Sequence, residues 1–259
     1  MKPLLKVAKD FARLRLEKAK GVVGILLVGS SSVGYADDSS DVDLEVFVNE
    51  KSFDSERRTH GGYESFRGTD VSYEWMTVKE LEDALRDWKN DVDLWVYSKS
   101  TVLLDSGGKL KGLLAKYRRY PKRIWLEKLF FYWYYATGSA PYDSGKALQR
   151  NDLISAQLYL TQAMEYYTAL IFILNKCFVP YRKWRLRELE KLEHKPRGYA
   201  EILRRILTTE EWTKQEFEAK QSIINGLVSE LEHKLLRAGI KKEKLDNQWK
   251  FKVAGAPSV

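Results

Sequence analysis

Hydrophobic residues in the first third of the chain follow helical and extended periods in turn. Apolar positions at helical spacing predict a helix over residues 3–19. Residues 22–28 form a continuous apolar run bounded by a glycine, which is typical of a strand buried on both faces. Small and polar residues 29–40 predict a turn with one short helical segment. Strict alternation over residues 41–48 then predicts a half-buried strand.

Strand and helix patterns continue to alternate as far as residue 119. A polar stretch that ends near Arg67 precedes a second alternating segment, residues 70–77, which predicts another strand. Residues 78–89 have the spacing of a helix. Residues 93–104 are expected to be a strand, or a strand with a turn, and residues 109–119 a helix.

Strand patterns stop at Pro121, and the rest of the chain predicts helices. The expected helices are residues 122–137, 147–177, 182–192, 198–207 and 210–238, with a loop over residues 138–146. We therefore expect an α+β chain of two domains. A mixed sheet with flanking helices should occupy residues 1–120, and an all-α helical bundle residues 121–259.

Composition narrows the classes of function. The 259 residues include 44 Lys and Arg against 36 Asp and Glu, a formal net charge of +8, which suits an anionic ligand but equally suits solvated helix surfaces. A single cysteine, Cys177, excludes an intramolecular disulfide framework and a cysteine-based zinc cluster. The apolar run at residues 22–28 is too short for a membrane span. The mostly charged first 20 residues do not resemble a signal peptide, so a cytoplasmic location is expected.

The residues that point to chemistry lie between positions 28 and 48. The buried strand ends in Gly29-Ser30, and the turn of small residues that follows offers free backbone amides to an anion. The next strand presents Asp41 and Asp43 on one face, with Cα atoms about 6.6 Å apart. Two carboxylates so close repel each other unless a cation joins them. Mg²⁺ prefers such hard oxygen ligands, together with phosphate oxygens of a substrate.

A third carboxylate would allow two metal ions to be shared. The strand at residues 70–77 offers Asp70 and Glu74, both on its polar face. Glu74 lies in the best-patterned part of the strand, between Tyr73 and Trp75, whereas Asp70 stands at its start. The pattern favours Glu74 and leaves Asp70 as the alternative. Glu45 continues the face of Asp41 and Asp43 and is expected at the surface.

The order of these elements resembles the DNA polymerase β-like nucleotidyltransferase superfamily. The resemblance covers about 20 residues in its motif, a Gly-Ser turn after a strand and then Asp41-Val42-Asp43, and extends over roughly residues 1–120. It implies transfer of a nucleoside monophosphate from an NTP, with release of pyrophosphate. It also implies that Asp41, Asp43 and Glu74 or Asp70 bind two Mg²⁺ ions, and that Gly29, Ser30 and Ser31 contact phosphate. Many bacterial members have an arginine before the loop glycine, where this chain has Val33.

A weaker resemblance lies in residues 171–186, similar to the helical domain of bacterial nucleotidyltransferases, including antibiotic-modifying ones. It nominates Lys183, and less firmly Asn175, as facing the nucleotide. Glu165 lies in apolar surroundings within a predicted helix. It could serve as a general base for an acceptor hydroxyl, or it could pair with an arginine.

Three functions follow as hypotheses. The first is Mg²⁺-dependent nucleotidyl transfer to a hydroxyl of a small molecule, with an antibiotic-like acceptor suggested by resemblance alone. The second keeps the chemistry with RNA or protein as the acceptor, supported by the net charge and the basic residues 116–123. The third is a non-catalytic nucleotide-binding module or toxin–antitoxin partner. No membrane partner is expected, and a homodimer remains open.

Overall fold

The computed structural model describes residues 4–53 and 61–251 of the chain. It divides into two compact units, with the division between Arg119 and Tyr120. In its described residues, the first unit contains the helix α1 with a π-helical continuation, five strands, four further α-helices and a 3-10 turn at Glu50–Ser52. They are α1 Leu4–Phe11, the π-helical segment Ala12–Leu16, β1 Val22–Val28, α2 Gly29–Val33, β2 Val42–Val48, β3 Gly62–Phe66, β4 Thr69–Thr77, α3 Val78–Arg86, α4 Asp91–Lys99, β5 Thr101–Asp105 and α5 Lys109–Lys116.

The five strands form one mixed sheet in the order β3-β4-β2-β1-β5. β1 runs antiparallel to both β2 and β5, and β3 runs antiparallel to β4. The central pair, β2 and β4, is parallel and pairs Val42 with Val71 and Glu45 with Glu74. The parallel pairing puts the starts of β2 and β4 at the same edge of the sheet.

The faces of the sheet separate the apolar residues from the acidic ones. Val42, Leu44 and Val46 of β2 and Val71 of β4 are buried in a cluster with the residues of α1. On the opposite face, Leu110 of α5 lies against Gly24. The sequence alternation is confirmed, since the acidic residues of β2 and β4 all lie on this second face, away from α1.

The second unit is helical and is built around the long helix α8. Its elements are α6 Lys122–Thr137, the π-helical segment Gly138–Ser144, α7 Gly145–Gln149, α8 Leu153–Leu174, α9 Arg182–Leu189, α10 Tyr199–Leu207, α11 Lys214–Ala238 and α12 Lys242–Asp246. α6 and α11 both pack against α8 around a core rich in buried aromatic residues. The indole of Trp125 also donates a hydrogen bond of 2.6 Å to the carbonyl of Ile173, which ties α6 to the end of α8. Among the described helices, none is both long and apolar enough to cross a membrane.

Two elements of the first unit differ from the sequence predictions. Residues 62–66 form strand β3, where only a polar stretch was expected. The strand predicted over residues 93–104 is wrong in its first half, because residues 91–99 form helix α4 and only residues 101–105 are extended. The helix begins at Asn90, whose side chain accepts hydrogen bonds from the backbone amides of Val92 and Asp93.

Two elements of the second unit also differ from the sequence predictions. The expected helix over residues 147–177 is divided, since α7 ends at Gln149 and α8 begins at Leu153. Asp152 starts α8 by accepting a hydrogen bond from the Ser155 amide. The loop expected at residues 138–146 is instead helical, since Gly138–Ser144 is a π-helical segment that contains Pro141 and α7 begins at Gly145.

Candidate functional site

The turn after β1 places a glycine directly against Asp43. Gly29 has φ +69°, in the left-handed region that favours glycine. A Cβ atom added at Gly29 would overlap Asp43 Oδ2 and come within 3.3 Å of its Cγ. The register of the sheet brings them together, because Val28 pairs with Asp43 across β1 and β2. A glycine is therefore required here both by the backbone angle and by the carboxylate beside it.

Hydroxyl groups hold the turn and the carboxylate in place. Ser31 Oγ donates a hydrogen bond of 2.8 Å to the backbone carbonyl of Asp41, which ties α2 to the start of β2. Ser72 Oγ, from the neighbouring strand β4, donates a 2.8 Å hydrogen bond to Asp43 Oδ1. Ser30 is buried. Sequence reasoning did not single out Ser72, although its alternation with Asp70 and Glu74 placed it on the same face.

The register distinguishes the two candidates for a third carboxylate. Because Val42 pairs with Val71, Asp70 stands level with Asp41 at the start of the parallel pair. Glu74 pairs with Glu45 instead and lies about 13 Å further along β4 than Asp70, at about 3.3 Å per residue. Asp70 is thus nearer to Asp41 than Glu74 is, and the role of either as a ligand stays a prediction.

A tyrosine of the unpredicted strand β3 marks the same edge of the sheet. Tyr63 is exposed, and interaction of its hydroxyl with the Asp70 carboxylate raises the pKa of Tyr63. The negative charges of Asp70 and Asp41 add to the effect. Tyr63, Asp70 and Asp41 therefore share one electrostatic environment.

Glu45 is half-buried, so its expected place at the surface is wrong. Its Oε1 accepts a 3.1 Å hydrogen bond from the hydroxyl of Tyr97, on α4. Its Oε2 is buried and has no hydrogen-bond partner among the described residues. Burial raises the pKa of Glu45 to about 7. The negative charges of Glu74, Asp93 and Asp43 also raise this pKa, whereas the hydrogen bond from Tyr97 lowers it. Sequence reasoning could not find Tyr97, because it assigned residues 93–104 to a strand.

The stability of the metal-free protein should depend on the protonation of Glu45. The folded-state pKa of about 7 exceeds the ordinary value of 4.5, so the folded state holds this proton more tightly. The stabilisation is complete below pH 4.5 and is lost as the pH rises through 7, by about 3 kcal/mol in all. Urea unfolding in chelator at pH 5 and pH 8.5 should show a smaller loss for Glu45→Gln than for the wild type.

Glu17→Gln, at an exposed site, serves as the control and should follow the wild type. An identical pH dependence for wild type and Glu45→Gln would contradict the assignment of a raised pKa to Glu45.

The side chains at this edge of the sheet offer the type of ligand atom that Mg²⁺ prefers. Asp41 and Asp43 supply hard oxygen atoms. Among residues 4–53 and 61–251, no group of three or more His, Cys, Asp or Glu is arranged to hold a metal ion. Mg²⁺ is often bound by one or two carboxylates with the remaining ligands from water and substrate phosphates. Asp41 and Asp43 fit that mode, in which phosphate oxygens of a substrate would supply further ligands.

The remaining predicted residues lie in the second unit. Lys183 is exposed on α9, with its Nζ 5.6 Å from the centre of the Trp184 ring. Glu165 pairs with an arginine, the alternative left open by the sequence, because Arg182 donates a 2.8 Å hydrogen bond to its Oε2. Its role as a general base stays untested.

Asn175 ends α8 and joins it to a following segment. Its Nδ2 donates hydrogen bonds of 2.8 Å to the carbonyls of Ile171 and His194, and its Oδ1 accepts one of 3.0 Å from the His194 amide. Every polar atom of the side chain is used within the fold. These hydrogen bonds explain the asparagine at this position, and no contact with a nucleotide is needed to explain it.

Asn175→Ala should therefore destabilise the protein by about 1–3 kcal/mol and leave its affinity for NTPs unchanged. Denaturant unfolding and NTP titration check the two parts. Asn247→Ala is the control, because Asn247 Nδ2 makes only a 3.4 Å bond to the Glu243 carbonyl and its loss should cost under about 0.5 kcal/mol. A loss of NTP affinity in Asn175→Ala without a loss of stability would contradict the structural role.

Comparison with solved structures identifies the architecture. A nucleotidyltransferase-like protein from Exiguobacterium sibiricum 255-15 superimposes with a TM-score of 0.56 at 14% sequence identity, over 89% of this chain and 77% of that one. The chain has a nucleotidyltransferase-like fold. Residues 90–185 match the family model of DUF4037, a domain of unknown function, and so include α4, which bears Tyr97, and the first turn of α9, which bears Lys183. No curated protein matches the sequence.

Proposed function

We propose that this chain is a Mg²⁺-dependent nucleotidyltransferase that transfers a nucleoside monophosphate from an NTP to a hydroxyl of a small molecule. The observation that carries the proposal is the contact between Gly29 and Asp43. A left-handed glycine at the end of a buried strand abuts a carboxylate of the next strand, so that a turn of small residues lies beside an acidic pair. The nucleotidyltransferase-like fold supports the same reading of these residues.

In this proposal Asp41 and Asp43 hold two Mg²⁺ ions, with Asp70 or Glu74 as a third carboxylate. The ions would neutralise triphosphate charge and lower the pKa of the acceptor hydroxyl. Gly29, Ser30 and Ser31 approach the phosphates. The acceptor oxygen forms a bond to the α-phosphorus, the bond from that phosphorus to the bridging oxygen breaks, and pyrophosphate leaves. The hydroxyl proton passes to solvent or to a base.

The nature of the acceptor is decided by where the nucleotide label is found. The protein is incubated with Mg²⁺, each α-phosphate-labelled NTP in turn, and a mixture of hydroxyl-bearing small molecules, RNA and protein. We expect pyrophosphate release together with label in a small-molecule product. Label in RNA, with binding that weakens steeply as salt increases, would favour a macromolecular acceptor. No Mg²⁺-dependent NTP consumption with any acceptor would contradict the proposed activity and favour a binding module.

A further inference from the structure

The carboxylate of Asp43 has the turn at Gly29 on one side and strand β4 on the other. Its Oδ2 is the atom that a Cβ at Gly29 would overlap, whereas its Oδ1 accepts the 2.8 Å hydrogen bond from Ser72. The strand order is the cause, since β1 and β4 are the two neighbours of β2. The two sides of this carboxylate therefore offer different surfaces to a substrate.

The proposed reaction assigns a different reactant to each side. In an in-line displacement the attacking and the leaving oxygens lie on opposite sides of the phosphorus. The backbone amides of the turn at Gly29 suit the part of the NTP that leaves as pyrophosphate. The acceptor hydroxyl then approaches from the other side, over β4 and β3, which follow β2 in the order of the sheet.

Tyr63 lies on this second side, in the same row of the sheet as Asp43. Asp43 pairs with Ser72 across β2 and β4, and Ser72 pairs with Tyr63 across β4 and β3. Residues that pair directly across strands project from the same face of a sheet. Phe66 of β3 lies on the opposite face, where it packs on Phe11 of α1. The Cα atoms of Asp43 and Tyr63 are about 10 Å apart, at about 4.8 Å per strand.

The exposure of Tyr63 is exceptional for the sheet. The residue is 68% exposed, and among the described exposed large hydrophobic side chains it is the only one that belongs to a strand. Ser65 and Asp70, which pair with each other on the same face, are exposed as well but polar. A flat ring stacked on Tyr63 would remove apolar area of both rings from water. The row from Asp43 to Tyr63 thus ends in a surface that suits a ring.

We propose that Tyr63 selects the acceptor, and that the acceptor is a hydroxyl-bearing molecule with a flat ring. The ring stacks on Tyr63 while the hydroxyl reaches the α-phosphorus beside Asp43. The distance of about 10 Å between the two residues requires a spacer of several bonds between hydroxyl and ring. This inference rests on the proposed nucleotidyl transfer and names the class of its acceptor.

The test compares two alcohols that differ only in a ring, 3-phenylpropan-1-ol and propan-1-ol. Each is incubated with the full chain, Mg²⁺ and the four α-phosphate-labelled NTPs, and the labelled ester is measured. The alcohol oxygen bonds to the α-phosphorus, pyrophosphate leaves, and the hydroxyl proton passes to solvent. We expect the wild type to favour the phenyl alcohol at least about 5-fold in kcat/KM. Tyr63→Ala should lose this preference, and Tyr63→Phe, which retains a ring, should keep it.

NTP affinity, measured by Mg²⁺-dependent stabilisation against heat, should be unchanged in Tyr63→Ala, because Tyr63 and the turn at Gly29 lie on opposite sides of Asp43. Leu14→Ala is the control, since it removes an exposed apolar side chain from the π-helical segment that continues α1. It should keep both the NTP affinity and the preference for the phenyl alcohol.

An equal preference in the wild type and in Tyr63→Ala, or a loss of NTP affinity in Tyr63→Ala, would overturn the inference. So would a wild type that does not distinguish the two alcohols. If Mg²⁺-dependent pyrophosphate release persists in these cases, the proposed transferase activity stands without the inference. No pyrophosphate release from any NTP, with either alcohol or with water alone, would contradict the transferase activity and the inference together.

Discussion

Asp43→Asn is expected to lower Mg²⁺-dependent pyrophosphate release by more than about 100-fold. Loss of a partner that merely orients a metal ligand costs about 10–100-fold in affinity or activity, and loss of a direct ligand should cost more. The substitution keeps the shape of the side chain, and the amide oxygen can still accept the 2.8 Å hydrogen bond from Ser72. The fold should therefore survive while a negative charge is lost. Steady-state pyrophosphate release at saturating NTP measures the effect.

Asp83→Asn is the matched control, because Asp83 is an exposed carboxylate on α3 that pairs with Arg86. Its activity should equal that of the wild type. The same assay applied to Asp70→Asn and Glu74→Gln distinguishes the two candidates for a third ligand, and the larger loss identifies it. Full activity in Asp43→Asn would refute the assignment of Asp43 to the metal.

Gly29→Ala should abolish NTP binding, whereas Gly34→Ala should not. The two glycines have nearly the same backbone angle, φ +69° and +73°, so each alanine variant bears a similar conformational cost of about 1–2 kcal/mol. They differ in their surroundings, since a Cβ at Gly29 overlaps Asp43 Oδ2 and one at Gly34 has nothing within 4 Å. Only Gly29→Ala must displace the Asp43 carboxylate.

Urea unfolding and titration with Mg²⁺ and NTP separate these two effects. Both variants should lose stability, with the greater loss in Gly29→Ala. Only Gly29→Ala should lose more than about 100-fold in NTP affinity. Equal NTP affinity in the two variants would show that the position of Asp43 against Gly29 has no part in nucleotide binding.

The sequence was most informative where one face of an element is buried. Alternation placed Asp41 and Asp43 opposite Val42 and Leu44, and the structure has the same arrangement because a half-buried strand has a period of two residues. The Gly-Ser turn was predictable as well, since a glycine ends the apolar run of β1. The contact of Gly29 with Asp43 was not, because it depends on the antiparallel register of β1 with β2.

Other features depended on pairings that a local pattern does not contain. The parallel register of β2 with β4 puts Asp70, rather than Glu74, level with Asp41, and no spacing along the chain specifies it. The short apolar run Leu94–Val96 is compatible with a buried helix as well as with a strand. It is helical in the structure, where the Asn90 side chain caps the N-terminus of α4. The burial of Glu45 was missed for the same reason, because α4 supplies the Tyr97 hydroxyl that donates a hydrogen bond to it.

The most direct measurement is the change in melting temperature of the wild type and of Asp43→Asn with each of the four NTPs, with and without Mg²⁺. The ligand-induced shift is the quantity to compare, because relief of carboxylate repulsion alone can raise the baseline melting temperature of the variant. We expect at least one NTP to stabilise the wild type only when Mg²⁺ is present, and Asp43→Asn to lose that shift. No shift with any NTP at millimolar concentration, or an equal shift in the variant, would contradict a nucleotide site at Asp41 and Asp43.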